Sequence, residues 1–324
     1  MKQYQPLEIV KYQHEYDTDF SVETEYQRRL NNVSAVVTQL HPLLDYKKDG
    51  RQTKQYPLFF IYTAEMVKLF SKFDRNSWKL VQASQDLPEA AVSHFLDNLL
   101  LDEIINTNRI EGVKTDATEL SAIIKSIGNH PKGQRKQLGS MVRLYQGNLL
   151  KINCLQDFRD IYDELLRGEI PADKQPNGQL FRDELPDGTI VIGSAAKIVH
   201  VPPVSELAIS EALSSLISFM NKADLPAIFK ALITHFFFEN THPFLDGNGR
   251  MGRYLLSAYL SSKYDRFTGF SISTAIQTQL PSYYRIFQEA DRAENRAELT
   301  FFVEEMLRIL TAGQEKVLEA MQKG

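Results

Sequence analysis

The chain has 324 residues, 43% of them hydrophobic and 24% charged, with a formal net charge of -4. That is enough apolar material for a sizeable core in one large domain or two smaller ones, and it offers no basic footprint for nucleic acid. No window approaches the roughly 18 apolar residues of a membrane span. Residues 1–20 are polar, rich in Tyr and acid, and lack an apolar stretch of signal-peptide length. The lone Cys154 excludes an intrachain disulfide framework and a Cys-based zinc cluster. It fits a reducing compartment and reads as core packing, so a cytoplasmic location is expected.

Taken in chain order, residues 22–44 carry apolar residues at loosely helical spacing. Residues 57–62 read either as a short buried strand or as the start of a helix running to Phe73, and periodicity does not decide between them. Asp86 reads as an N-cap with Pro88 in the first turn. Leu87, Val92, Phe95, Leu96, Leu99, Ile104 and Ile105 then form an apolar stripe that Gly112 punctuates. A second helix starts near residues 116–118. Residues 128–133 are a turn-rich break, the basic run 132–136 is a solvated face, and residues 138–167 hold one or two helices. Prolines and Asn-Gly or Asp-Gly pairs interrupt residues 171–203. Within them Thr189-Ile190-Val191-Ile192-Gly193 is the best strand candidate, one arm of a β-hairpin with Asp187-Gly188 just before it. After Pro203 the chain reads helical near 205–221, 225–240, 250–264, 281–291 and 297–322. The fold class is mainly α with one hairpin.

Chemistry concentrates in residues 241–253, Thr-His-Pro-Phe-Leu-Asp-Gly-Asn-Gly-Arg-Met-Gly-Arg. Asp224 and Pro226 open a strongly apolar helix that ends near residues 240–241, and the next begins at about 248–250. The Gly-Asn-Gly therefore sits at a helix N-terminus, where unpartnered N–H groups and the helix dipole favour an anion. Gly247 and Gly249 let backbone amides approach a ligand. Arg250 and Arg253, three apart, are expected on one side of the first turn and suit a di- or triphosphate. Asp246 would repel that phosphate unless a divalent cation lies between them, which argues for Mg²⁺. His242 has an ordinary pKa of about 6.5 and can take a proton. Each feature alone has a bland explanation, a helix cap or a turn; their spacing together does not.

The stretch His-x-Phe-x-Asp-Gly-Asn-Gly-Arg-x-x-Arg resembles the signature of the Fic family, which residues 242–253 match in full. The resemblance extends over roughly residues 85–310. Phe181-Arg182, Ile190, Val191, Ile192, Gly193 and Pro202-Pro203 resemble the family's flap, which docks a target segment by strand addition. Tyr283-Tyr284 resemble its nucleoside-pocket segment, with Asp291 standing where many members carry Asn. Residues 1–85 resemble, more loosely, the N-terminal extension of larger bacterial members. Residues 86–310 would be the catalytic core, with a helix at about 88–111 and the flap at about 180–203, and residues 311–324 the end of the C-terminal helix.

The resemblance implies a Fic-fold helical bundle that transfers AMP from ATP to a Tyr, Ser or Thr hydroxyl of a target protein, with Mg²⁺. His242 would be the base and Asp246 the metal ligand. Gly247, Asn248, Gly249, Arg250 and Arg253 would hold the phosphates, with Met251 and Gly252 completing the segment and Phe244 fixing the loop. The intact Gly-Asn-Gly separates the chain from the kinase-like Doc branch, which carries Lys at the second Gly; transfer of another phosphate-containing group stays open. Thr107, Glu111 and Gly112 match the family's inhibitory motif, Ser/Thr-x-x-x-Glu-Gly/Asn. The alternative for Glu111 by itself is a surface carboxylate ending a helix. By resemblance it would pair with Arg253 and restrain the site, or help to hydrolyse AMP from a modified target. The expected partners are a hydroxyl-bearing protein and a second copy in a homodimer, with no nucleic acid and no membrane. A quiet nucleotide-holding module is the reading from a different class, and the retained His242, Asp246, Arg250 and Arg253 speak against it.

Overall fold

The computed structural model describes residues 4–45, 52–53, 56–127, 136–147, 151–183, 192–194 and 197–323. The first third comprises α1 (Leu7–Gln13), α2 (Val22–Leu30), β1 (Ala35–Val37), β2 (Leu44–Asp45), β3 (Gln52–Thr53), β4 (Phe59–Ile61), α3 (Ala64–Gln85) and α4 (Glu89–Ile110). The middle holds α5 (Ala117–Ile127), α6 (Lys136–Gln146), α7 (Leu155–Leu165), β5 (Ile192–Ser194) and β6 (Lys197–His200). Then come α8 (Glu206–Lys222), α9 (Ala227–Thr241), α10 (Asn248–Lys263), α11 (Arg266–Gly269), α12 (Ile272–Thr278), α13 (Leu280–Ala290) and α14 (Thr300–Lys323). The molecule is mainly α with a β-hairpin, as expected. It also has two further two-stranded ladders that the sequence reading lacked, β1 with β4 and β2 with β3, both antiparallel. No helix among the described residues is long and apolar enough to cross a membrane.

Several local expectations are corrected. Only residues 22–30 of the 22–44 stretch are helical, capped by Ser21 accepting from the Thr24 amide; residues 35–37 pair with 59–61 instead. The 57–62 alternative resolves as a strand. The helix begins after it, with Thr63 accepting from the Met66 amide, and runs to Gln85, well past Phe73. Asp86 is therefore the C-cap of α3, and Pro88 is the N-cap of α4. Likewise Pro226, not Asp224, is the N-cap of α9. A proline's fixed φ suits entry to a helix without any side-chain cap. The strand at 192–194 pairs forward with 197–200, not back across Asp187-Gly188; residues 184–191, with Ile190 and Val191, lie outside the described residues, as does the 128–133 break. Helices α1, α11 and α12 were not foreseen. Cys154 is exposed at the N-cap of α7 and takes no part in the core.

The core is built around α9. Its apolar residues run around the whole helix, which marks a central element. Ile228, Phe229, Leu232, Ile233, Phe236 and Phe238 are all fully buried. Phe229 meets Phe60 and Phe70 from the N-terminal third, and Phe236 meets Phe302 of α14. Leu40, Leu58, Phe60, Met66 and Phe73 join the same core as α9 and α10. The first 85 residues thus share the interior of the rest. A central helix packed on all sides is a rigid base for whatever its C-terminus presents.

Candidate active site

Helix α9 ends because His242 turns into the left-handed region, φ 48° and ψ 62°, while its N–H still reaches the Phe238 carbonyl at 2.9 Å. Arg182 holds this end from outside. Its Nε donates to the His242 carbonyl at 2.6 Å and its Nη2 to the Thr241 carbonyl at 3.2 Å, while its own amide donates to the Pro243 carbonyl. A guanidinium over the last carbonyls of a helix satisfies groups that have no intrahelical partner.

The loop is fixed from below. Phe244 is fully buried and stacked on Tyr162 with ring centroids 3.7 Å apart, and the Tyr162 hydroxyl donates to the Asp246 carbonyl. The Asn248 amide bridges both backbone groups of Phe244, accepting at 2.9 Å and donating at 2.8 Å. Asn248 was expected to hold phosphate; its polar atoms instead close the loop on itself. Gly247, at φ 81°, makes the turn into α10, whose N-terminus has no side-chain cap.

A cavity of about 440 Å³ opens over this helix start, lined by His242, Gly249, Arg253, Tyr283, Tyr284 and Asp291, with Glu111 and Glu239. The structure separates two arginines that were expected side by side. Arg253 lines the cavity, whereas Arg250 turns away to an ion pair with Glu169 at 2.7 Å and stands 3.9 Å from Asp246. Long side chains follow their counter-ions, and these two counter-ions lie on different segments. Asp246 is 46% exposed at its side chain and outside the cavity lining. Met251 is core, and Gly252 packs so close to Glu239 that a Cβ there would sit 2.1 Å from Oε1. Among the described residues, no group of three or more His, Cys, Asp or Glu side chains could hold a metal ion.

The most closely bound cation in the cavity is Arg253. Its Nε donates to the Thr107 hydroxyl at 2.9 Å, and its Nη2 donates to the Thr107 carbonyl at 3.1 Å and to Glu111 at 2.6 Å. Glu111 is the C-cap of α4, and Gly112 follows at φ 72° to turn the chain away. The same carboxylate leans over the start of α10: a Cβ on Gly249 would meet its Oε1 at 2.1 Å. A side-chain anion therefore stands where an amide nest and a guanidinium converge. Burial opposes charge on Arg253, but Glu111, with Tyr283 and Glu239 adding to it, more than offsets this and holds the guanidinium above its ordinary range.

Burial also sets the other groups. It pushes His242 down to about 3, with the charges of Arg182 and His200 adding to the effect, so the imidazole is neutral at ordinary pH. Its buried Nδ1 makes no well-formed hydrogen bond. Burial raises Glu239 to about 8. Asp291, expected at the adenine, lines the cavity and also accepts from the Asn240 amide at 2.8 Å and lies 3.9 Å from His200; burial lifts it to about 6. His200, at the end of β6, bonds Asp45 at 2.7 Å and the Asn240 carbonyl at 2.9 Å. Burial works against its charge, yet Asp291 and Asp45 raise it to about 9. Tyr283 and Tyr284 both sit in α13; Tyr283 is buried and Tyr284 is 44% exposed. Of the flap positions, Ile192 and Gly193 form β5. Sequence reasoning missed Glu169, His200 and Glu239, and gave Arg182 no bonding role. None of them stands at a telling spacing, and only three-dimensional proximity reveals them.

Residues 152–260 match the family model described as the Fic/DOC family. This segment is a Fic/DOC family domain. Members of the family are typically transferases, often of a nucleoside monophosphate group. The chain is also similar to solved Fic structures. One is a Fic family protein from Desulfovibrio desulfuricans G20, at 22% identity and TM-score 0.61, covering 80% of this chain and 75% of that one. A second is a Fic domain containing signaling protein from Bacteroides thetaiotaomicron VPI-5482, at 16% identity and TM-score 0.50, covering 80% and 97%. A third is Fic-1 (aa134–508) from C. elegans, at 17% identity and TM-score 0.51, covering 79% and 74%. At these identities the likeness speaks for the fold. The Fic family match begins just before α7 and ends inside α10, so α4, with Thr107 and Glu111, lies outside it.

Proposed function

We propose that the chain is a protein adenylyltransferase held at rest by Glu111. The observation that carries this is the Glu111–Arg253 pair over Gly249: an internal carboxylate takes the place suited to an incoming polyphosphate. In the reaction, a Tyr, Ser or Thr hydroxyl oxygen of the target attacks the α-phosphorus of ATP. The new O–P bond forms as the bond to the bridging oxygen breaks; pyrophosphate leaves, and the hydroxyl proton passes to the neutral His242 ring and on to solvent. His242 needs no prior deprotonation to accept it. The amides of Asn248 and Gly249 and the Arg253 guanidinium would neutralise phosphate charge, which is most of what phosphoryl-type transfer asks of a protein.

The donor set fits Mg²⁺ only loosely. Asp246 offers a single exposed carboxylate, whose Oδ1 already accepts from the Gly247 amide at 2.6 Å. One carboxylate suits a cation that arrives with, and is mostly held by, phosphates and water. That ion would supply charge neutralisation beside the amide nest. Arg250 would serve the phosphates only after leaving Glu169. The strand at Ile192 and Gly193 would dock an extended segment of the target, and chains of this kind would self-modify.

The test is labelling with radioactive ATP, both of the protein itself and of proteins in a lysate. Glu111→Gly is expected to raise incorporation by about 10²-fold, the scale of a small misplacement at the reacting centre, and His242→Ala in that background is expected to abolish it. Equal labelling by wild type and Glu111→Gly would remove the restraint, and labelling that survives His242→Ala would remove the base. Faster release of AMP from modified protein by wild type than by Glu111→Gly would favour the reverse, hydrolytic activity.

A further inference from the structure

Helices α8, α9 and α10 enclose a second cavity of about 350 Å³ that shares no lining residue with the His242 cavity. Its size falls in the ~300–1,000 Å³ range of small-molecule sites. The walls are apolar, from Ile152, Phe238, Leu255 and Leu256. Lys151, Lys230 and Lys263 line it as well, with no Asp or Glu among the lining residues. Two buried polar side chains complete it: the Thr234 hydroxyl has no hydrogen-bond partner, Nδ1 of His235 lies beside the Gly252 backbone without a well-formed bond, and both residues are more than nine-tenths buried. Buried polar atoms in folded proteins are overwhelmingly bonded. Two under-satisfied polar atoms on residues that line one cavity suggest a place where a ligand would supply a partner.

We propose that this cavity binds a small amphipathic organic anion. An apolar body would lie between Phe238, Leu255 and Leu256. A carboxylate, sulfonate or phosphate would meet the lysines, and a polar group would satisfy Thr234 and His235. The site also communicates with the active-site cavity. His235 Nε2 bonds the Tyr283 hydroxyl at 2.9 Å, and Tyr283 lines the cavity beside Arg253. Burial holds His235 neutral at ordinary pH, so a ligand that donates to Nδ1 leaves the proton on Nε2, and one that accepts from Nδ1 takes it away. Occupancy thereby sets whether Tyr283 accepts or donates toward His235. This second half rests on the transferase reading; the binding itself does not.

Isothermal titration of the full chain with 8-anilinonaphthalene-1-sulfonate is expected to show one site per chain. N-phenyl-1-naphthylamine, which lacks the sulfonate, should bind at least about tenfold more weakly, as loss of a charge-assisted contact predicts. Lys230→Glu with Lys263→Glu should weaken the sulfonate by a similar factor, while Lys79→Glu, outside the cavity, should not. Thr234→Val should weaken it as well, with far-ultraviolet circular dichroism confirming that each variant is folded. Absence of saturable binding, or binding indifferent to both the sulfonate and the lysines, overturns the site. In a second arm, saturating sulfonate should change the ATP affinity of Glu111→Gly by about fivefold; an unchanged affinity removes the coupling. A chain that binds no ATP counts against the transferase alone, since the first arm contains no nucleotide.

Discussion

Gly247 meets two demands at once: a left-handed φ of 81°, and a Leu166 methyl that would lie 2.2 Å from any Cβ. Gly247→Ala is therefore expected to cost about 2–5 kcal/mol, from left-handed strain of about 1–2 kcal/mol and overpacking of about 1–3 kcal/mol. Urea unfolding measures it, and a loss under about 1 kcal/mol would show that the loop moves aside. At this scale much of the chemistry was legible, because His242, Gly249 and Arg253 lie within one short segment. What was not legible was direction. Arg250 and Arg253 are equivalent by spacing, yet their partners, Glu169 and Glu111, lie 81 and 142 residues away in the chain. Asn248 looks like a ligand contact in the sequence, and its side-chain polar atoms are committed to Phe244.

Among elements, the long periodic helices α9, α10 and α14 were legible, and the caps before α4 and α9 were not. At both, proline set the boundary where an Asp two residues earlier looked like the cap. The ladder of β1 with β4 escaped because each strand is three residues long and its partner lies 22–26 residues away; too few positions remain to show alternation. The hairpin shows a further link. His200 ties the end of β6 to Asp45 of β2 and to the end of α9. Its pKa is raised above the unfolded value of about 6.5 to about 9, so its stabilisation is fully present below pH about 6.5 and is lost as pH rises through about 9. The stability advantage of wild type over His200→Gln should therefore shrink between pH 6.5 and 9.5. Thermal melts across that range check it, and a constant difference would mean that His200 is neutral in the fold.

For the whole molecule, the mainly α class was readable from patterning, but the sharing of one interior by the first 85 residues was not. Short strands and scattered aromatics such as Phe60 announce nothing until α9 is packed against them. The boundary of the family match and the boundary of the folded unit consequently differ. A fragment of residues 152–260 would lose α4 and keep Arg253, a fully buried guanidinium stripped of Thr107 and Glu111. Removing one side of a buried ion pair costs about 3–5 kcal/mol, on top of the exposed faces of α9 and α10. That fragment is expected to be unfolded by circular dichroism, while residues 56–323 keep every contact of Arg253; a cooperative melt of the short piece would show otherwise. On the reading proposed above, restraint and integrity would share one set of atoms. On that reading, a lineage that shed α4 to release the site would strip Arg253 of both Thr107 and Glu111 at once. Escape by a change at position 111 alone, which leaves Thr107 in place, is the shorter route.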